Sequence, residues 1–134
     1  MPPVPSPTPP GPSEPSPTLV AEATRRSGVL WLSTQDVAPV LVWHLWHDGA
    51  AYVVCGGEEQ ILPPIGPTAT VSVRSKAGAL IVQWVASVEV VLPGSAPWQE
   101  VVPLLAAERL NARDADDLPK RWAHSATVLR LSPR

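Results

Sequence analysis

The chain has 134 residues, 18 of them Pro, and nine of those Pro fall within the first 17 positions, which leaves residues 18 to 134 for one domain. Hydrophobic residues make up 45% of the chain, enough for one core, and the single cysteine, Cys55, excludes a disulfide framework and a multi-Cys zinc site and suits a reducing compartment. A formal net charge of −2 lacks the basic excess that phosphate-backbone binding needs, so nucleic acid is a poor match as a partner.

Met1 to Pro17 reads as an extended, polyproline-like tail, because each Pro ring fixes φ and removes a backbone donor. Its plain role is a tether. The PxxP spacing among Pro2, Pro5, Pro9 and Pro12 also suits an aromatic groove on an unknown partner. The tail lacks a basic stretch leading into an apolar one, and no run reaches the roughly 18 apolar residues of a membrane helix. The expectation is a soluble cytoplasmic protein without membrane contact.

Ser16-Pro17 opens a helix that Leu19 to Arg26 carries to Gly28. Strands are expected at Val29–Ser33, Val40–Trp46 and Ala51–Cys55, the last two joined by an Asp48-Gly49 turn into a hairpin. After a Pro-punctuated segment, Thr68–Arg74 and Ala79–Leu92 form a second pair about the turn Lys76-Ala77-Gly78. Pro97 to Asn111 carries Trp98, Val101, Val102, Leu105 and Leu110 at helical spacing, with Pro103 expected to kink or break the helix near Gln99 to Val102. Arg113 to Lys120 reads as a polar loop and Ala126–Leu131 as a closing strand. The sum is a mainly β (α+β) chain of six antiparallel strands, one N-terminal helix and one helix before the last strand, and closing the sheet into a small barrel removes its edges.

His44 and His47 stand three apart on an alternating strand, so they face opposite ways and form no local metal pair. A site assembled from His44, His124 and Cys55 has no spacing to specify it, and no metal is expected. Six Trp with no Phe offer planar surfaces either for a flat cofactor or for a core and a subunit interface. Val40, Val42, His44 and Trp46 share one face of their strand, and Leu41, Trp43 and Leu45 the other. Two apolar faces on a barrel wall predict a homodimer. Gly56-Gly57 permits close backbone approach to a ligand, though it is no P-loop. Arg74, Ser75 and Lys76 are the one compact basic group of the folded part, readable as a phosphate dock or as an ordinary polar turn. Cys55 has no neighbouring cation to activate it and reads as a small apolar residue.

The stretches SGVLWLST (Ser27 to Thr34), APVLVWHLWHDG (Ala38 to Gly49), AYVVC (Ala51 to Cys55) and TVSVR (Thr70 to Arg74), the long strand through Trp84, and the ending from Arg121-Trp122 to Pro133 resemble the pyridoxamine 5'-phosphate oxidase-like family. That resemblance implies a six-stranded split β-barrel forming a homodimer, with FMN or a deazaflavin in clefts between subunits. It places the flavin ring against Val42, Trp43 and His44 and against Val54, Cys55 and Gly56. The acidic arm falls to Arg74, Lys76 or Arg121, with Trp43, His44 or Trp122 against the ring. The family's cationic phosphate stretch is replaced here by Gly56 to Ile65, which holds two carboxylates and no Lys or Arg. Two functions follow: a flavin- or deazaflavin-dependent oxidoreductase of unknown substrate, or a non-catalytic dimeric barrel that has lost the flavin phosphate site and holds no cofactor.

Overall fold

The computed structural model describes residues 15–56, 59–108 and 117–134. They form, in chain order, α1 (Pro17–Arg26), β1 (Val29–Ser33), β2 (Val40–Trp43), β3 (Leu45–His47), β4 (Ala50–Cys55), β5 (Thr68–Arg74), β6 (Leu80–Val91), α2 (Ala96–Ala107), α3 (Leu118–Ser125) and β7 (Thr127–Pro133). The expected tail falls outside the described residues as far as position 14. Among the described residues, no helix is long and apolar enough to cross a membrane.

Helix α1 begins as its sequence dictates. The Ser16 hydroxyl accepts the N–H of Leu19 at 3.1 Å, Pro17 occupies the first turn, and Arg25 and Arg26 sit at the carboxyl end, where positive charge is favoured. The β3–β4 hairpin turns on Asp48 and Gly49, with φ of 48° and 77°, the paired positive values that match the twist of the flanking strands.

All seven strands belong to one antiparallel sheet in the order β2-β1-β5-β6-β7-β4-β3. The expected single strand from Val40 to Trp46 is two strands, which corrects the expected count of six. Its first half pairs with β1 and its second with β4, so one stretch of chain carries both lateral edges of a curled sheet. The change of partner is made at His44, whose N–H bonds to the Gly28 carbonyl at 3.2 Å, outside the strands.

One further expectation is corrected at the helices. Part of the segment read as a polar loop is the start of α3, a third helix, in which Leu118 and Trp122 stand four apart and are both buried. Helix α2 runs through Pro103 without a break. Pro103 is exposed, so the carbonyl it leaves unbonded faces water, while Val101, Val102, Leu105 and Ala106 stay buried against the sheet. The stretch from 109 to 111, expected to extend this helix, lies outside the described residues.

Alternation along the strands divides the apolar residues between two cores. Leu30, Leu32, Val42, Val53, Val71 and Leu131 point into the curl of the sheet, where Val20 of α1 joins them. Tyr52, Val54, Val91 and Val128 point outward and are covered by Trp98, Val101 and Leu105 of α2 and by Leu118 and Trp122 of α3. Trp43 and Leu45 pack against this outer core. The apolar outer face that suggested a second subunit is therefore covered in part by the chain's own helices, with Leu41 left 50% exposed.

Candidate functional site

The residues expected around a flavin ring meet at the split of the barrel, where β2 ends and the loop after β4 begins. Trp43 directs its N–H and C=O away from β1 into this gap, since the next residue, His44, bonds the other way. The side-chain carboxamide of Gln60 lies between the two edges. Its Oε1 accepts a short bond from the Trp43 N–H, and its Nε2 donates to the Trp43 carbonyl at 3.1 Å and to the Val54 carbonyl at 3.1 Å. The Gln60 backbone is fixed in turn, because its carbonyl accepts the Gly56 N–H at 2.8 Å. One amide side chain thus does the work of a missing strand residue.

Gly56 takes φ of 85°, and a Cβ there would stand 3.5 Å from the Ser125 carbonyl oxygen and 3.7 Å from Ala126 Cα. The close approach expected of this glycine is to the chain's own α3–β7 junction. Cys55 bonds through Sγ to the Thr127 carbonyl at 3.6 Å, and burial pushes its pKa up, which keeps the thiol protonated. Glu59 folds inward from the same loop and accepts the Trp122 indole N–H at 3.1 Å. Trp122 is 2% exposed, so its ring belongs to the outer core and its faces are not open to a ligand. Arg121, half-buried beside it on α3, gives its carbonyl to the Ser125 hydroxyl.

The histidines go separate ways. His44 is 7% exposed and lies against α1, with Nε2 2.9 Å from the Thr24 carbonyl oxygen. A carbonyl only accepts, so Nε2 carries the proton and Nδ1 is a bare acceptor, which has no hydrogen-bond partner among the described residues. Burial lowers the pKa of His44 and outweighs the opposing pull of the Thr24 carbonyl. His47 faces α2 and pairs with Glu100 at 3.2 Å. No group of three metal-ligating side chains exists among the described residues.

Arg74 and Lys76 lie apart from all of these. They rim a groove of about 860 Å³ between α1, the outer face of β1 and β2, and the β5–β6 hairpin. Its floor includes Trp31 and Leu41, two residues paired across the sheet. The structure therefore splits the expected site in two: Trp43, Val54 and Gly56 gather at the split with Val42 buried beneath them, whereas Arg74 and Lys76 gather at the groove. Sequence reasoning missed Gln60, Glu59 and Trp31. The first two carry no local signal, because Gln60 reaches Trp43 across 17 residues and Glu59 reaches Trp122 across 63.

Among the solved structures that match the whole fold in shape are the following three. HutZ, the heme storage protein from Vibrio cholerae, matches with a TM-score of 0.56 and 15% identity over 86% of this chain and 87% of that one. A pyridoxamine 5'-phosphate oxidase-like protein from Listeria innocua matches with a TM-score of 0.56 and 17% identity over 88% and 93% of the two chains. An FAD-binding protein from Mesorhizobium loti matches with a TM-score of 0.57 and 13% identity over 90% and 89%. The chain folds as a split β-barrel. No protein-family model and no curated protein matches the sequence. The architecture expected from the resemblance is present, with seven strands and three helices where six and two were expected.

Proposed function

We propose that this chain is a non-redox split-barrel binding protein, a homodimer that keeps the architecture and has closed the flavin seat implied by the resemblance. The observation that carries this reading is the Gln60 carboxamide, which occupies the Trp43 and Val54 main-chain groups that would border the ring. A flavin placed there would have to displace three hydrogen bonds, and the stretch from Gly56 to Ile65 offers its phosphate no Lys or Arg. The residues present do not fit a flavin in that seat. Redox chemistry in such a barrel is the cofactor's, so a closed seat removes hydride transfer with it. The homodimer is supported by the resemblance and by the outer face of β6, where Val85 is 50% exposed.

The second reading, a flavin- or deazaflavin-dependent oxidoreductase, draws on the fold neighbours described as FAD-binding and as pyridoxamine 5'-phosphate oxidase-like. It requires the split to open, with Arg121 left to hold the acidic arm, because Arg74 and Lys76 lie at the separate groove. Titration of the purified protein with FMN, FAD and a deazaflavin, followed by Trp fluorescence, separates the two. The protein is expected to purify without a bound chromophore, and an Arg74→Ala, Lys76→Ala double variant to show no saturable quenching up to about 100 μM. A yellow protein, or flavin binding that persists in the double variant, would mean that the split opens for a flavin and would overturn the reading.

A further inference from the structure

We propose that the groove between α1, β1–β2 and the β5–β6 hairpin binds a flat aromatic molecule carrying one anionic arm, with the ring on Trp31 and Leu41 and the arm at Arg74 and Lys76. The proposal rests on the reading of the chain as a binding barrel, and it uses none of the residues that close the split.

The floor comes from the outward positions of the strands. Val29, Leu41 and Ile81 are 43%, 50% and 48% exposed there, an uncovered apolar surface beside the half-buried Trp31. A large aromatic side chain set among aliphatic ones suits a planar ring, which gains contact area and loses little freedom on stacking. The volume of about 860 Å³ falls within the range of small-molecule pockets.

The rim supplies the charge. Arg74 Nη1 donates to the Gly78 carbonyl at 3.0 Å, so the hairpin turn itself holds the guanidinium at the groove's edge, and Lys76 stands two residues on in the same turn. Arg26 lines the opposite side from α1. The carboxylate lining the groove, Glu22, is paired with Arg25 at 3.0 Å and with Arg26 at 3.4 Å, and no carboxylate among the described residues pairs with Arg74 or Lys76. In a chain of net charge −2, cations above an apolar floor match an amphipathic anion and give a neutral ring no equal advantage.

Two probes sharing one ring system test this. 8-Anilinonaphthalene-1-sulfonate carries the anionic arm and N-phenyl-1-naphthylamine lacks it. The sulfonate is expected to bind with saturable fluorescence at one site per chain, on the order of tenfold tighter than the neutral amine, and more weakly as salt rises. The Arg74→Ala, Lys76→Ala double variant should lose about tenfold in sulfonate affinity and leave the amine unchanged. Trp31→Ala should weaken both. Gln60→Ala should alter neither, so loss of binding in that variant would place the probe at the split and overturn the proposal. Equal affinity for the two probes would overturn it, as would self-association that buries Trp31 and abolishes probe binding as protein concentration rises, since the groove would then be filled by a second copy. A chain that binds no aromatic anion fails this proposal while leaving the closed flavin seat untouched.

Discussion

His44 donates its Nε2–H to the carbonyl of Thr24 at 2.9 Å, and the Thr24 hydroxyl accepts the Trp84 indole N–H at 3.2 Å. Thr24 is fully buried, so one residue of α1 fastens the helix to the break between β2 and β3 and to the long strand β6. The imidazole must be neutral for this arrangement to be satisfied, because protonation would place a second N–H in a buried position where Nδ1 has no acceptor among the described residues.

That requirement makes stability depend on pH. The folded state lowers the pKa of His44 below its ordinary value of 6.5, so the unfolded chain takes up a proton first as pH falls. The full contribution of neutral His44 is present above about pH 6.5 and is lost progressively as pH drops toward the lowered folded value, at no more than about 1.4 kcal/mol per pH unit. Urea midpoints between pH 7.5 and 5 should fall for the native chain. His44→Gln keeps a donor for Thr24 without the titration and should show a shallower slope; identical slopes would refute the assignment to His44.

Removing the acceptor of the Trp122 indole should be costly. Glu59→Ala leaves a buried N–H unpaired and is expected to destabilise the protein by about 1–3 kcal/mol, whereas Glu59→Gln keeps an oxygen in place and should cost less. Equilibrium denaturation of the two variants measures the difference, and equal losses would show that the Glu59–Trp122 bond contributes nothing.

Pro103 offers a stabilising change. Replacing it with Ala restores a backbone donor for Gln99 within α2 and removes the crowding of the preceding turn, against a penalty of about 0.4–1 kcal/mol from the freer unfolded chain. A net gain of about 1–2 kcal/mol is expected, read as a higher melting temperature. A melting temperature that falls would mean that α2 depends on the Pro geometry.

Hydrogen exchange reports on the split directly. In Gln60→Ala the Trp43 amide loses its acceptor and should exchange faster, while the Leu30, Val53 and Val71 amides of the inner core should keep their protection. Unchanged exchange at Trp43 would show that Gln60 does not hold the gap.

The strands of the barrel were legible because their signals are local: alternation in Val29–Ser33, the Asp48-Gly49 turn, and the long apolar run ending at Val91 each declare themselves within a few residues. The break at His44 was not, because the stretch 40–47 alternates without interruption and only the curl of the sheet forces its change of partner. Helix α3 had a weak signal in Leu118 and Trp122 four apart with Pro119 between them, masked by polar neighbours. At the candidate site the cations of the β5–β6 turn were visible as a cluster. Trp31 could not be assigned to their groove, because β1 and β5 come together only in the folded sheet.

The two lateral strands of the sheet, β2 and β3, are only four and three residues long, and a side-chain amide bridges the end of β2 to Val54 of β4. Such an edge gives an incoming β-strand almost nothing to extend. Strand addition and edge-to-edge aggregation are both disfavoured, and whatever associates with this barrel, including a second copy, has to recognise it through side chains on its faces and not through the peptide backbone.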